Sequence, residues 1–249
     1  MHSNTEWLEL AIEERVATIT IDVPPVNAIT EGLLDELGTV WQNLKQQELA
    51  AIILTGKNEF FSAGADIKSF PARSPEENQI FFQTLYQVLN EIENCSIPVI
   101  AAINGYALGG GLELALCADF RIADQNARMG ATGVNLGLVF CTQRLPRLIG
   151  YSRAKEMLFT ARMVEAAEAV RTGLVEQMVE PGLSLFRAQE IAHVIAGKSL
   201  PAVMGVKQAL QAGTNKSLKE GLQSEAGILK QMLVTKEFQD RVQRFLEKK

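Results

Sequence analysis

The chain has 249 residues, of which 47% are hydrophobic and 21% charged. This balance is close to the soluble globular average, which excludes a disordered chain or a small disulfide scaffold and sets a prior of about one to two domains. The net charge is −5, without the basic stripe that marks a nucleic-acid-binding surface, so no nucleic-acid partner is expected.

The three cysteines, Cys95, Cys117 and Cys141, form no CxxC pair, and His2 and His193 are the only histidines. No metal site is expected from this set, and reduced thiols in a cytoplasm fit it best. The opening residues lack the basic start and apolar core of a signal peptide, and no apolar run is long enough to span a bilayer. A cytoplasmic protein without membrane attachment is the expectation.

In chain order, Trp7 to Ile21 reads as two strands, the second dense in β-branched residues. Pro24-Pro25 ends it. Thr30 is placed to cap a helix whose apolar face is Leu33, Leu34, Leu37, Val40, Trp41 and Leu44. A buried strand, 50–55, runs into a Gly-, Phe- and Ala-rich loop, 56–66. After the polar stretch 71–78, residues 80–92 read as a helix. The strand 98–103 leads into Asn104-Gly105 and the cluster Gly109-Gly110-Gly111, followed by a helix, 112–118, and a strand, 120–123. From Ser152 onward the pattern is mainly helical, with helices expected over 152–160, 164–172, 185–196, 201–212 and 217–246. Strand–helix alternation giving way to helices defines an α/β body with a helical C-terminal region.

Two loops stand out chemically. In Pro98-Val-Ile-Ala-Ala-Ile-Asn-Gly-Tyr-Ala-Leu-Gly-Gly-Gly-Leu-Glu113, a buried strand feeds a glycine-rich turn that opens a helix. Free N–H groups and the positive dipole end there suit a phosphate or a developing oxyanion. The spacing is neither GxGxxG nor a P-loop, which argues against a nucleotide. Glycines can equally serve tight packing alone. The second loop, Phe60-Phe61-Ser62-Ala63-Gly64-Ala65-Asp66-Ile67-Lys68, is small enough for a ligand to approach the backbone closely. Together the two turns can supply a converging pair of N–H donors.

The segments FFSAGADIK, PVIAAINGYALGGGLELALCADFRIA, VNLG and TQRLPRLIG, in this order, resemble the signatures of the enoyl-CoA hydratase/isomerase, or crotonase, superfamily, and the likeness runs over nearly the whole chain. The resemblance implies a crotonase-like α/β fold, a spiral of β-β-α turns over 1–195, with a helical C-terminal trimerisation region over 196–249. It implies a homotrimer or a dimer of trimers acting on an acyl-CoA or acyl-carrier-protein thioester. No cofactor would be bound permanently; coenzyme A enters as part of the substrate. By the same resemblance, the backbone N–H groups of Ala65 and Gly110 hold the thioester carbonyl and stabilise an enolate. Coenzyme A lies across Ala63, Asp66 and Ile67, and Lys248 reaches its phosphates.

Hydratases of this family generally use two glutamates that share a catalytic water. The first matches Glu113, three residues after Gly110; a carboxylate in a first helical turn is also an ordinary dipole partner. The second normally ends a Gly-Gln-Pro-Glu-like stretch, and Gly133 stands at that position. The run Leu138-Val139-Phe140-Cys141 leads directly into Thr142-Gln143-Arg144, about three residues shorter than the family's glycine-rich run before TQRL. Gly133, Leu138 and Phe140 are therefore read as an altered, more apolar end of the acyl pocket, and Cys141 as a small apolar filler.

One carboxylate with an oxyanion hole can move a proton between Cα and Cγ, or protonate an enolate left by loss of CO₂. The expected function is therefore an acyl-CoA enzyme of enoyl-CoA hydratase/isomerase type, a lyase or isomerase, with Glu113 as sole proton-transfer group. The alternatives are a decarboxylase of a β-carboxy acyl thioester, as in polyketide-type pathways, and a non-catalytic thioester-binding member of the family. Family decarboxylases often carry a histidine and a tyrosine at places that hold Ala65 and Phe140 here.

Overall fold

The computed structural model describes residues 2–247. Lys248 lies outside the described residues.

The β-branched run Val16–Ile21 becomes the third strand of a seven-stranded sheet. Across the sheet the strands are His2–Asn4, Leu8–Glu13, Val16–Ile21, Ala51–Gly56, Val99–Ile103, Phe120–Asp124 and Gln177–Val179. The first two pairings are antiparallel and the remaining four parallel, with Ile19 opposite Leu54 and Ile53 opposite Ile100. Every residue of Ala51–Gly56 is buried, as expected of a parallel strand covered on both faces. One face carries the main core. The other is covered by the helix Ser184–Ala196, whose Ala188 and Ala192 pack on Val16, Ile53, Ile100 and Ile122.

A second sheet of four short strands, in the order Met163–Glu165, Arg128–Gly130, Tyr106–Leu108 and Phe60–Ser62, accompanies the first. The chain repeatedly lays a strand in the large sheet, a strand in the small one, and then a helical segment. Ala51–Gly56, Phe60–Ser62 and the helix Pro75–Glu93 form one such turn. Val99–Ile103, Tyr106–Leu108 and the helix Gly110–Leu116 form the next. This is the α/β spiral of β-β-α turns that the resemblance implies.

Local chemistry accounts for where the expected elements fall. The helix Glu31–Leu44 begins where Thr30 accepts a hydrogen bond from the Leu33 N–H. The second long helix starts at Pro75, five residues ahead of the expected Ile80. Ser74 and Glu77 form a reciprocal capping box there, which turns a polar stretch into a first helical turn. The strands Phe60–Ser62, Gly64–Ala65, Tyr106–Leu108 and Gln177–Val179 and the helix Arg144–Ile149 were not expected, being too short to show a period.

The single helix expected over 217–246 is two helices, Leu218–Leu233 and Lys236–Glu247. The break falls at Val234 and Thr235, where the Thr235 hydroxyl accepts from the Phe238 N–H at 3.2 Å and caps the second helix. The preceding helix, Leu200–Gly213, is fastened to the body by Lys207. Its buried ammonium donates to Asp119 at 2.6 Å and to the Ile97 carbonyl at 3.1 Å. No helix among the described residues is long and apolar enough to cross a membrane.

Candidate active site

The two small-residue loops meet. Gly64–Ala65 pairs in parallel with Ala28–Ile29 and packs against the start of the helix Gly110–Leu116. Glycine is required at this contact. Gly64 has φ +89°, and a β-carbon there would lie 2.5 Å from the Leu108 carbonyl oxygen and 3.0 Å from the Gly110 nitrogen. A β-carbon on Gly111 would lie 2.2 Å from the Ser62 carbonyl oxygen. The Ser62 hydroxyl donates to the Asn27 carbonyl at 2.7 Å and accepts from the Gly64 N–H at 3.2 Å, which fixes the loop.

Gly110 opens its helix, so its N–H has no intrahelical acceptor. The Asp66 N–H donates to the Ile29 carbonyl. Successive residues of a strand turn their amides to opposite edges, so the neighbouring Ala65 N–H faces away from Ile29. The Ala65 nitrogen lies 3.5 Å from where a β-carbon on Gly110 would stand. The Ile29 Cδ1 atom lies 3.2 Å from the same point, so the two loops are in close contact there.

Ala65 and Gly110 both line a cavity of about 390 Å³. Ala63, Gly64, Ala65, Asp66 and Ile67 line it, with Gly109 and Gly110. The helix Pro75–Glu93 contributes Phe82, Leu85 and Tyr86, and Gly133, Leu136, Leu138, Val139 and Phe140 complete the lining. The cavity thus brings together Ala63, Ala65, Asp66, Ile67, Gly110, Gly133, Leu138 and Phe140. Its aromatic side is continuous: the Phe140 ring lies 5.3 Å from Tyr86 and 6.4 Å from Phe82.

Glu113 is placed differently from its sequence neighbours. It sits one turn into the helix, 3% exposed, and is not among the residues that line the cavity. Its carboxylate meets a guanidinium. The Glu113 Oε1 accepts from Arg144 Nη1 at 2.6 Å, and Oε2 is buried without a hydrogen-bond partner. Arg144 also donates through Nη2 to Glu93 Oε2 at 2.7 Å and to Asn90 Oδ1 at 3.0 Å. Those two residues stand three apart on the helix Pro75–Glu93, on one face. Burial opposes the charge on Arg144, but the Glu93 and Glu113 carboxylates raise its pKa beyond the usual guanidinium value.

Two further groups surround Glu113. The Cys141 thiol is buried, 3.6 Å from the Gly109 carbonyl, on a residue with φ +61°. Burial, reinforced by the Glu113 charge, pushes its pKa well above the ordinary thiol value, so it packs as a neutral thiol and is not a thiolate nucleophile. Partial burial raises the Tyr86 pKa, and the Glu113 charge adds to this. Sequence reasoning missed Tyr86, Arg144, Asn90 and Glu93. Arg144 stood inside TQRLPRLIG, and Tyr86 next to the buried Leu85, but nothing in the chain indicated which of them faces the cavity.

Comparison with known proteins gives the family. The enoyl-CoA hydratase/isomerase family model matches residues 11–249, and the chain belongs to that family. It is 38% identical to a short-chain-enoyl-CoA hydratase of Clostridium acetobutylicum, over 95% of this chain and 93% of that protein. It is 37% identical to a crotonyl-CoA hydratase of Syntrophomonas wolfei, over 98% and 96% respectively. Among solved structures, the enoyl-CoA hydratase of Bacillus anthracis superposes with a TM-score of 0.95 at 36% identity, covering 98% of this chain and 97% of that one. The spiral is thus the crotonase fold.

Proposed function

We propose that the protein is an acyl-CoA thioester enzyme of the enoyl-CoA hydratase/isomerase type that works through an enolate, with Glu113 as its single proton-transfer carboxylate. The observation that carries this reading is that Ala65 and Gly110 line one apolar cavity, with Glu113 one turn into the helix that Gly110 opens. The thioester carbonyl would accept from both amides. As a proton leaves Cα or Cγ, the electron pair moves onto that oxygen, where the amides and the helix start favour the negative charge. Losing one such donor costs about 3–4 kcal/mol of transition-state stabilisation in comparable sites.

Coenzyme A would run along Ala63, Asp66 and Ile67 at the cavity rim, with Lys248 offering charge to its phosphates. The acyl chain would turn toward Leu138 and Phe140. The relatives named as hydratases support the acyl-CoA class. Gly133 favours proton transfer over hydration, because hydration must both activate a water and protonate Cα. Residues 196–249 would serve trimerisation, with no permanently bound cofactor, in a cytoplasmic protein.

A second reading, decarboxylation of a β-carboxy acyl thioester, is favoured by one observation: the cavity that Ala65 and Gly110 line is also lined by Gly133, Leu138 and Phe140. A carboxylate desolvated there is less stable relative to neutral CO₂. The experiment is a panel of CoA and carrier-protein thioesters followed by mass spectrometry and NMR. A shifted double bond at unchanged mass supports the first reading. Loss of CO₂ selects the second, and efficient gain of water overturns the single-carboxylate reading. No change with any thioester leaves a binding protein.

A further inference from the structure

The apolar lining of the cavity continues to the protein surface. Residues 136–140 line it through Leu136, Leu138, Val139 and Phe140. Two of these are open to solvent: Leu136 is 52% exposed and Val139 80%. The backbone fixes them there. The short 3₁₀ helix Thr132–Leu136 ends at Gly137, which takes the left-handed conformation at φ +70°. The Gly137 N–H donates to the Val134 carbonyl at 3.1 Å, and the Leu138 N–H donates to the Gly133 carbonyl at 3.0 Å. The turn is therefore closed by its own amides.

Toward the core the same run is packed tight. The Phe140 ring lies 5.3 Å from Tyr86 and 6.4 Å from Phe82, and Phe82 lies 5.4 Å from the buried Phe81. Tyr86 and Phe82 are four residues apart on the helix Pro75–Glu93 and so share a face. The Leu138 carbonyl oxygen and the Phe140 β-carbon already stand 3.0 and 3.6 Å from where a β-carbon on Gly133 would lie. Rings and backbone packed in this way would have to part to admit further methylenes. Over Leu136 and Val139 nothing has to part.

We propose that the acyl group is a medium- or long-chain one, whose first carbons occupy the cavity and whose distal methylenes run out across Leu136 and Val139. This rests on the acyl-CoA reading above, in which coenzyme A follows Ala63, Asp66 and Ile67 and the side of residues 136–140 is left for the acyl chain. A short acyl group gains nothing from two exposed aliphatic side chains. A long one covers them and is covered by them, which removes apolar surface from water on both partners. The distal chain is unsubstituted, because a charged or hydroxylated tail laid on leucine and valine loses hydration without a compensating hydrogen bond.

The test is the dissociation constant of the full-length protein for saturated acyl-CoA thioesters from butyryl to dodecanoyl. It is measured by calorimetry, below the concentrations at which the longer thioesters form micelles. The proteins are the wild type, the double variant Leu136→Asp/Val139→Asp and the conservative Val139→Leu. Both side chains are exposed, so the substitutions remove little core packing, and thermal melting checks that each variant is folded. In the wild type each added methylene is expected to tighten binding about two- to fourfold, through at least decanoyl. The double variant should cut the ratio of decanoyl to butyryl affinity by about tenfold or more, whereas Val139→Leu should keep it. The ratio is read within one protein, so a general weakening of coenzyme A binding does not move it. Wild-type affinity that levels off at hexanoyl overturns the inference. So does an undiminished ratio in the double variant, or a ratio lost equally in Val139→Leu. Failure of butyryl-CoA and of every longer thioester to bind the wild type overturns the acyl-CoA reading itself, and this inference with it.

Discussion

Leu138 folds back onto Gly133: its N–H donates to the Gly133 carbonyl at 3.0 Å, and its own carbonyl oxygen lies 3.0 Å from where a β-carbon on Gly133 would stand. The Phe140 β-carbon is only 3.6 Å from the same point. Gly133 and the run before Thr142 are thus packed together, and that run occupies the space into which a side chain at 133 would project.

It follows that restoring the carboxylate will not restore hydration. Gly133→Glu must push the Leu138 backbone aside, an overpacking cost of about 1–3 kcal/mol. Hydration of crotonyl-CoA is expected to be slow or absent in the wild type, about 10²–10⁴-fold below an enzyme with both carboxylates. It should stay so in Gly133→Glu, whose melting temperature should fall. Following the loss of enoyl thioester absorbance checks both. Brisk hydration by the wild type means that another group activates the water; a gain in Gly133→Glu means that the loop yields easily.

Much of this was legible in the chain, and the remainder was not for definable reasons. Thr30 and the apolar spacing from Leu33 to Leu44 specify a capped amphipathic helix on their own, and the chain builds it. The glycine cluster and the FFSAGADIK loop are readable because close backbone approach restricts residue choice. Arg144 and Tyr86 were not, because their importance depends on which helix meets the cavity and at what rotation. The break in the last helical stretch was hidden because Thr235 is a modest cap in a continuously amphipathic pattern.

The buried thiols give a pH signature. Burial pushes the Cys117 thiol well above its ordinary value, and it raises Cys95 and Cys141 as well. An unfolded cysteine ionises near about pH 8.5. The stabilisation from keeping a thiol neutral is complete below that pH and is lost as pH rises toward the folded value. Unfolding free energy should decline above about pH 8.5, with each thiol contributing at most about 1.4 kcal/mol per pH unit. Cys117→Ala should flatten the slope between pH 8 and 10 in urea titrations. An unchanged slope would assign the alkaline loss to other groups.

The C-terminal helices present apolar surface that the chain itself does not cover. Neither Leu218–Leu233 nor Lys236–Glu247 has a buried residue, and Leu218, Leu222, Leu229 and Phe245 are all more than half exposed. Contiguous apolar surface of this kind marks an interface. Light scattering is expected to give a trimer or hexamer at micromolar concentration. The double substitution Leu222→Glu/Leu229→Glu should shift it toward monomer while the far-ultraviolet circular dichroism of the body persists. A wild-type monomer at these concentrations would end the proposal.

Glu113→Gln separates chemistry from binding. Glutamine keeps the shape of the side chain and can still meet Arg144 through its amide oxygen, but it cannot relay a proton. The residues proposed to hold coenzyme A, Ala63, Asp66 and Ile67, lie along the cavity wall, whereas Glu113 is buried behind it. On whichever thioester the panel identifies, kcat should therefore fall by about 10²–10⁴-fold with affinity for the thioester little changed. Gly110→Pro should act differently, because it deletes one of the two amides proposed to hold the thioester carbonyl and strains a turn already at φ +51° at Gly109. Near-normal turnover in Glu113→Gln, with Gly110→Pro inactive, would reduce Glu113 to a structural partner of Arg144. The chemistry would then rest on the two amides alone, as it could for a decarboxylase whose enolate takes its proton from water.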